Sequence, residues 1–345
     1  MDILSMTFEE VSEAFRENSI QKFRAAQVYE WLHKHLVRDY DEMTNLPKDL
    51  REKLKEQFPI IGCSVVKKQV ASDGTVKFLF SVCDDDYIEC VVMKYKYGYT
   101  ICVSSQVGCK MGCAFCASTI GGFKRSLSAG EILSQVYLAQ RELGERISHI
   151  VLMGMGEPMD NFDNVMRFLY LVTNEKGLNI SMRNISLSTC GVVPKIEELL
   201  SKHLQLTLSI SLHAPNNEIR SKIMPVNRRY HIEELLAMCR RYTEETSRRI
   251  SFEYSMMSGI NDSDECAREL ASRLKGMLCH VNLIPVNEVE ESPFKPSTPE
   301  RIKKFTEILE KQGITTTVRR KLGSDIDASC GQLRLKENKR KGETK

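Results

Sequence analysis

The stretch Cys102-Val-Ser-Ser-Gln-Val-Gly-Cys109-Lys-Met-Gly-Cys113-Ala-Phe-Cys116 begins at the end of the first strand of a regular strand–helix series and carries four cysteines. Three of them, Cys109, Cys113 and Cys116, have the spacing C-x3-C-x2-C. Three thiolates on one loop, without a fourth Cys or His at comparable spacing, are typical of an iron–sulfur cluster that keeps one iron open for a non-protein ligand. A closed zinc site has four protein ligands, and buried cysteines also occur as plain packing residues. The spacing favours a metal centre held by these three cysteines.

The residues after Cys102 alternate between strand and helix patterns. Strands are predicted at 99–104, 149–155, 183–189, 206–213, 249–257, 279–286 and 315–320. Amphipathic helices lie between them, such as Ser128–Leu143, in which Ser128 and Glu131 form a capping box. Because repeated βα units imply a parallel sheet, we predict an α/β protein with a partial (βα)6, TIM-like barrel. A doubly wound open sheet is the alternative.

The residues before Cys102 predict two smaller units. Residues 5–58 have helical periodicity, whereas residues 65–92 form short alternating runs with a turn at Asp73-Gly74, which is typical of a small β-meander. The helical unit, with its many basic residues, is either an RNA-docking domain or a plain scaffold. The predicted domains are a helical N-terminal domain (1–62), a β extension (63–97), the partial barrel (98–334) and a basic C-terminal tail (335–345).

Glycines and polar residues are concentrated where the predicted strands end. Ligands bind at the carboxyl ends of the strands in parallel α/β folds, so these residues are candidates for a binding site. The candidates are Gly154, Gly156, Glu157, Ser188, Ser211, Leu212, His213 and Asn287. His213 on pattern alone is either a core histidine or a ligand-binding residue.

Composition describes an ordinary globular chain: 42% of residues are hydrophobic, 28% are charged, and the net charge of +3 is weak evidence for any partner. No apolar run approaches the roughly 18 residues of a membrane span, and the amino terminus lacks a basic signal region. Twelve cysteines without a secretion signal favour reduced thiols and metal chemistry over a disulfide framework. We therefore expect a cytoplasmic protein without membrane contact. Seven cysteines are interpreted as packing residues: Cys63, Cys83, Cys90, Cys190, Cys239, Cys266 and Cys279.

Three motifs together resemble a known family. They are the C-x3-C-x2-C triplet, Gly154-Met-Gly-Glu-Pro158 and Asp325-Ile-Asp-Ala-Ser-Cys330-Gly-Gln-Leu333. The triplet resembles that of radical S-adenosylmethionine (SAM) enzymes. Over nearly the whole chain, the sequence resembles the RlmN/Cfr family of RNA adenine methyltransferases, and it looks closer to the RlmN group. The resemblance implies a [4Fe–4S] cluster on Cys109, Cys113 and Cys116. It also implies SAM contacts from Gly156, Glu157, Ser188, Ser211, Leu212, His213 and Asn287.

The resemblance further implies a mechanism with two SAM molecules per turnover. One SAM methylates Cys330, and a second is cleaved to a 5′-deoxyadenosyl radical that takes hydrogen from the methyl group. The resulting carbon radical adds to the adenine. Cys102 then releases the RNA–protein adduct and leaves a Cys102–Cys330 disulfide. Glu89 is the implied proton acceptor, although the strand pattern alone favours an outward-facing, solvated Glu89.

The implied substrates are adenosine 2503 of 23S rRNA, in the peptidyl-transferase centre, and adenosine 37 of some tRNAs, each methylated at C2. The implied partners are these RNAs and an electron donor such as flavodoxin or ferredoxin, and the protein is expected to be a monomer. Two alternatives remain open. One is a Cfr-type C8 methyltransferase that confers antibiotic resistance, and the other is a zinc-bound RNA-binding protein without catalysis.

Overall fold

The computed structural model describes residues 2–83, 86–286, 293–320, 322–323, 325–326, 333–334 and 337. Two predicted site residues, Asn287 and Cys330, lie outside the described residues. No helix in the described part of the chain is both long enough and apolar enough to cross a membrane.

The chain begins with three α-helices, α1 (Phe8–Glu17), α2 (Lys22–His33) and α3 (Lys48–Gln57). A capping box starts α1: Thr7 Oγ1 accepts from the Glu10 N–H, and Glu10 accepts from the Thr7 N–H. The apolar faces of these helices are buried in the same hydrophobic core as the rest of the chain. The helices therefore pack against the barrel.

A β-meander follows and consists of β1 (Ser64–Val70), β2 (Val76–Val82) and β3 (Asp86–Tyr95). Each strand is antiparallel to the next, and β3 is antiparallel to β4 (Gly98–Cys102), the first strand of the barrel. The meander therefore continues the barrel sheet at one edge.

The barrel region contains further strands and helices. Its strands are β5 (Gln106–Val107), β6 (Arg125–Ser126), β7 (Ile147–Leu152), β8 (Ile185–Thr189), β9 (Thr207–Ser211), β10 (Ile250–Met256), β11 (Cys279–Pro285) and β12 (Thr316–Val318). Its helices are α4 (Ala129–Leu143), α5 (Phe162–Thr173), α6 (Val193–Ser201), α7 (Asn217–Ile223), α8 (Ile232–Thr246), α9 (Asp264–Leu274) and α10 (Pro299–Lys311).

The parallel strands follow one another in chain order, β4-β7-β8-β9-β10-β11-β12. A doubly wound sheet would reverse its strand order at a switch point, so that alternative is wrong and the predicted partial barrel is confirmed. The capping box of α4 is also confirmed, because Ser128 Oγ accepts from the Glu131 N–H at 3.1 Å and Glu131 accepts from the Ser128 N–H at 2.9 Å.

The barrel strands have one apolar and one polar face. On β10, Tyr254 packs toward α10, with its ring 5.3 Å from that of Phe305. The alternate residues Ser251, Glu253 and Ser255 are polar yet buried, so they face the barrel interior. This polar interior holds the candidate site.

Candidate active site

The cysteine triplet lies on a loop that the short hairpin of β5 and β6 closes. Cys109 and Cys113 are buried, and Cys116 is half-buried. The loop is tied internally by the Cys116 N–H, which donates to the Cys113 carbonyl at 3.1 Å. It is tied to the barrel by the Ala114 N–H, which donates to the Ile223 carbonyl at 2.9 Å. These bonds hold the three thiols against the carboxyl ends of the strands.

A cavity of about 240 Å³ opens beside this loop, at the carboxyl ends of the parallel strands. All three predicted ligands Cys109, Cys113 and Cys116 line it. It is also lined by residues from several other strand ends, including Gly154, Gly156, Glu157, Ser188, Thr189, Cys190, Ser211, His213 and Glu253. The structure thus brings together the cysteine triplet and most of the predicted SAM-binding residues, around a space where a ligand fits.

The chemistry of the thiols suits a cationic ligand. Burial raises the pKa of Cys109 to about 12 and raises that of Cys113 as well. The positive charge of a metal centre would offset this cost and deprotonate the thiols, since metal ligation couples to thiol deprotonation. In the described residues, no three His, Cys, Asp or Glu side chains are grouped so that they could hold a single metal ion. Three cysteine thiolates on one loop are a suitable ligand set for an iron–sulfur cluster that keeps one iron open, so the residue types of the triplet fit such a cluster.

Two glycines after β7 allow the backbone to lie close to the neighbouring residues Val103 and Gln106. A Cβ on Gly154 would lie 2.6 Å from the Val103 carbonyl oxygen. Gly156 has a φ of +100°, and a Cβ there would lie 2.6 Å from Cβ of Gln106. The Gln106 side chain accepts from the Glu157 N–H at 2.9 Å. Both positions therefore require glycine.

Glu157 is buried, and its carboxylate joins neighbouring strand ends. It accepts from the Met159 N–H at 3.0 Å and from the Cys190 N–H at 2.8 Å. Burial raises the pKa of Glu157, and these hydrogen bonds oppose the increase. A carboxylate has further lone pairs, so it can also accept from a ligand.

Three further predicted SAM-binding residues, Ser188, Ser211 and His213, also line the cavity. The hydroxyls of Ser188 and Ser211 are 3.5 Å apart. His213 Nδ1 accepts from the Ser255 N–H at 2.9 Å, so the neutral ring carries its proton on Nε2. Burial lowers the pKa of His213 to about 3, which keeps it neutral. Leu212 differs from the others because its side chain is buried in the main hydrophobic core.

Two residues of this site were missed in the sequence interpretation. Cys190, interpreted as a packing residue, lines the cavity and packs in the same cluster as Cys113. Glu253 also lines the cavity and accepts from Ser251 Oγ at 2.7 Å and from the Asn282 side chain at 2.8 Å. The alternation of polar and apolar residues along β10 is the signal that would have identified Glu253.

The predicted catalytic residues Cys102 and Glu89 lie on the adjacent strands β4 and β3, and neither is among the residues that line the cavity. Cys102 is buried at the end of β4, in a cluster against which Met153 packs, and Met153 also lines the cavity. Glu89 is buried, so the pattern-based expectation of a solvated side chain is wrong. Its Oε2 is 2.8 Å from Nζ of Lys77, which is fully buried.

The described residues on either side of Cys330 dock on this same region. The Gly323 N–H donates to Asp73 at 2.8 Å. The Arg334 N–H donates to Glu89 Oε1 at 2.6 Å, and Leu333 packs against Leu79 in β2. This docking covers the face of the meander on which Glu89 lies, which explains the burial of Glu89.

Comparisons with known proteins identify the family. Residues 103–274 match the radical SAM superfamily, and residues 1–60 match the "Ribosomal RNA large subunit methyltransferase N-terminal domain". The chain is 54% identical over 334 residues to the "Probable dual-specificity RNA methyltransferase RlmN" of Clostridium novyi, which covers 96% of this chain and 97% of that protein. The chain belongs to the RlmN family of radical SAM RNA methyltransferases. The RlmN relative of Clostridium tetani is 56% identical, over 97% of this chain and 96% of that protein.

RlmN membership confirms the predicted family, the barrel fold and the enzyme class. A crystal structure of a radical SAM methyltransferase from Sphaerobacter thermophilus has a TM-score of 0.93 and 45% identity, over 96% of this chain and 98% of that chain. The RlmN family implies a [4Fe–4S] cluster, SAM and an RNA substrate. The roles of individual site residues in this chain stay predictions.

Proposed function

We propose that this RlmN-family enzyme methylates C2 of adenosine 2503 in 23S rRNA and of adenosine 37 in some tRNAs, through a methyl group carried on Cys330. The proposal rests on the position of Met153, which links the cavity to the cluster of Cys102. This side chain lines the cavity of the cysteine triplet and packs in the cluster of Cys102. A cofactor in that cavity would therefore lie next to a side chain that packs against the cluster of the proposed resolving thiol.

In this proposal, Cys109, Cys113 and Cys116 hold the [4Fe–4S] cluster. Gly156 and Glu157 orient SAM, together with Ser188, Ser211, Leu212, His213 and Asn287. Leu212 would contribute through its backbone, since its side chain is in the core. The neutral His213 ring offers an Nε2–H donor. When bound, the cluster and two SAM molecules per turnover supply a methyl group and one-electron chemistry that side chains lack.

The protein residues manage the covalent and proton steps. The Cys330 sulfur takes a methyl group, which would give up one hydrogen atom to the bound cofactors and then bond to C2 of the adenine through its carbon. The adduct would lose its C2 proton and return one electron to the bound cofactors. Cys102 then attacks the Cys330 sulfur, the S–C bond breaks, and the carbon takes a proton and leaves as the methyl group of the RNA; the disulfide that forms is reduced by an external dithiol. Glu89 is the proposed acceptor of the adenine C2 proton. Because both of its oxygens already accept hydrogen bonds, the proton would bind a remaining lone pair.

The N-terminal helices are the proposed RNA-docking surface. Phe23 is 53% exposed, and the Arg24 guanidinium lies 4.7 Å from its ring centroid. An exposed aromatic ring beside a cation suits base stacking and phosphate contact. The target adenosine must leave its stack before C2 is accessible. The remaining proposals are a monomeric enzyme, and reduction of the cluster by flavodoxin or ferredoxin.

The test is nuclease digestion and mass spectrometry of target RNA after incubation with the reconstituted enzyme, SAM and reductant. We expect 2-methyladenosine; 8-methyladenosine would instead support the C8 alternative. Cys330→Ala should retain iron and sulfide yet lose methyl transfer. Cys102→Ala should accumulate a covalent RNA–protein adduct on a denaturing gel, whereas Cys266→Ala, a buried cysteine of α9, is the matched control and should behave as wild type.

Metal analysis tests the non-catalytic zinc alternative. A closed zinc site has four protein ligands, and the triplet supplies three. Anaerobic reconstitution should yield iron and sulfide in equal amounts. Zinc alone, with no cleavage of SAM, would contradict the proposed enzyme.

A further inference from the structure

Arg220 on α7 is fully buried behind the wall of the cavity. Its guanidinium donates to four acceptors. Nε donates to the Leu212 carbonyl at 3.1 Å, and Nη1 donates to Asn227 Oδ1 at 3.1 Å. Nη2 donates to the carbonyls of Cys190 at 2.6 Å and Ser211 at 3.3 Å. All four acceptors are neutral, so the hydrogen bonds solvate the guanidinium without cancelling its charge.

No carboxylate in the described part of the chain forms an ion pair with Arg220. Burying a charge without a counter-ion is costly, and such charges in proteins are normally paired or bound to a ligand of opposite sign. The charge of Arg220 is therefore available to an anion that lies near it.

Arg220 Nη2 lies against two residues that line the cavity of the cysteine triplet. The carbonyls that accept from Nη2 belong to Cys190 and Ser211, which line the cavity. Cys190, Cys113 and Ile223 pack in one cluster, and Ile223 also accepts from the Ala114 N–H of the triplet loop. Arg220 thus donates to a residue that packs in the same cluster as Cys113.

We propose that Arg220 is the counter-charge for the iron–sulfur cluster and that it raises the reduction potential of this cluster. This inference rests on the proposed ligation by Cys109, Cys113 and Cys116. A cubane bound by three thiolates is anionic, and net charge is one of the factors that set its potential. Reduction transfers one electron from a low-potential donor and adds one negative charge, and no atom moves. A fixed cation nearby stabilises the reduced form more than the oxidised form.

Arg220 is a positioning residue in this scheme, since it lies behind the wall and is not among the residues that line the cavity. Its guanidinium stays protonated throughout, because arginine does not deprotonate in proteins. Its influence on the cluster is electrostatic, so a redox potential reports it directly.

The experiment is a dithionite redox titration of the anaerobically reconstituted protein, followed by electron paramagnetic resonance, with iron content measured on the same samples. Arg220→Gln removes the charge and should lower the equilibrium constant for reduction at least tenfold, which is about 59 mV for a one-electron couple. Arg220→Lys keeps the charge and should lower the constant less than threefold.

A second variant keeps the arginine but offsets its charge with a neighbouring carboxylate. Asn227→Asp places a carboxylate of almost the same shape on Nη1 of Arg220, and it should also lower the constant several-fold. Arg248→Gln is the matched control. Arg248 likewise donates to a backbone carbonyl, that of Leu206 at 2.9 Å, but at the opposite end of β9. The control should leave the potential unchanged.

Two results would overturn the counter-charge role. The first is an unchanged potential in both Arg220→Gln and Asn227→Asp at full iron content. The second is an equal shift in Arg220→Gln and Arg220→Lys, which would assign the effect to lost hydrogen bonds. A wild-type protein that assembles no cluster would instead refute the proposed ligands, and the inference would fall with them.

Discussion

Two fully buried cations, Lys77 and Arg220, are balanced in different ways. Lys77 on β2 is 2.8 Å from the carboxylate of Glu89 on β3, so its charge is neutralised within the fold. Arg220 on α7 donates to carbonyl and amide oxygens, and no described carboxylate forms an ion pair with it. Lys77 forms an ion pair within the meander. Arg220 lies beside the cavity and has no ion-pair partner among the described carboxylates.

This difference is the basis for the proposal that a negatively charged cofactor binds near Arg220. The Lys77–Glu89 pair also fixes the C-terminal segment, because Glu89 accepts from the Arg334 N–H. Both charges of this ion pair therefore stabilise the fold. The charge of Arg220 has no carboxylate partner among the described residues, and it lies near the cavity in which we propose that the anionic cluster binds. Four substitutions test this contrast.

Lys77→Met should have the largest effect. It leaves Glu89 as a buried carboxylate without its cation, which should cost about 3–5 kcal/mol of unfolding free energy. Denaturant unfolding of the metal-free protein measures this loss. The double variant Lys77→Met/Glu89→Leu removes both charges and should recover much of the stability. A double variant as unstable as Lys77→Met alone would show that the pair is not the cause.

Arg220→Met should cost less in the metal-free protein, about 1–3 kcal/mol. The substitution leaves carbonyl acceptors unpaired, but it also removes a buried charge that forms no ion pair with a described carboxylate. Denaturant unfolding measures this loss as well. The loss of unfolding free energy should be larger in protein that holds the cluster than in metal-free protein. If Arg220→Met destabilised the metal-free protein as much as Lys77→Met does, Arg220 would behave as an already paired cation.

Two buried histidines provide a further comparison, because burial keeps their rings uncharged. Burial lowers the pKa of His33 and His213 to about 3 each. Between pH 6.5 and pH 3 the unfolded chain binds protons on these side chains that the folded chain does not, so stability falls as pH falls. Each histidine contributes about 1 kcal/mol of this loss between pH 6 and pH 5.

The variant His33→Gln should therefore show a shallower loss of unfolding free energy over that pH unit than wild type, by about 1 kcal/mol. Denaturant unfolding at both pH values measures the slope. An unchanged slope would mean that His33 binds its proton equally in the folded and unfolded chains.

Lys222→Met should have the smallest effect. Lys222 lies two residues from Arg220 on the same helix, and its ammonium is 2.8 Å from Glu218, yet both side chains are mostly exposed. Solvent screens such a pair, so the denaturation midpoint should stay within error of wild type. A marked loss would show that any change on α7 is destabilising, and the result for Arg220→Met would then lose its meaning.

Local patterns in the sequence predicted most of the architecture. The strand and helix periodicities, the capping box at Ser128 and the alternation after Cys102 depend on neighbouring residues, and the structure confirms each of them. The cysteine spacing likewise predicted a loop whose three thiols line one cavity. These features could be inferred because hydrogen bonding and side-chain direction repeat over a few residues.

Burial that depends on distant segments could not be inferred in this way. The pattern along β3 favoured a solvated Glu89, but Leu333 and Arg334, far along the chain, cover that face. The alternation along β10 separates Glu253 from the apolar residues of its strand, but only the closed barrel shows that this polar face is the interior one.

The sequence by itself determined the order of the elements, the cysteine triplet and the family. The tertiary structure decided which charges are paired. Arg220, within Asn217-Glu-Ile-Arg-Ser-Lys, looks like one more solvated residue of a polar helix, and only the packing of α7 behind two strand ends buries it. The physical reason is that a charge interacts with whatever lies within a few ångströms in space, and folding alone decides which residues those are.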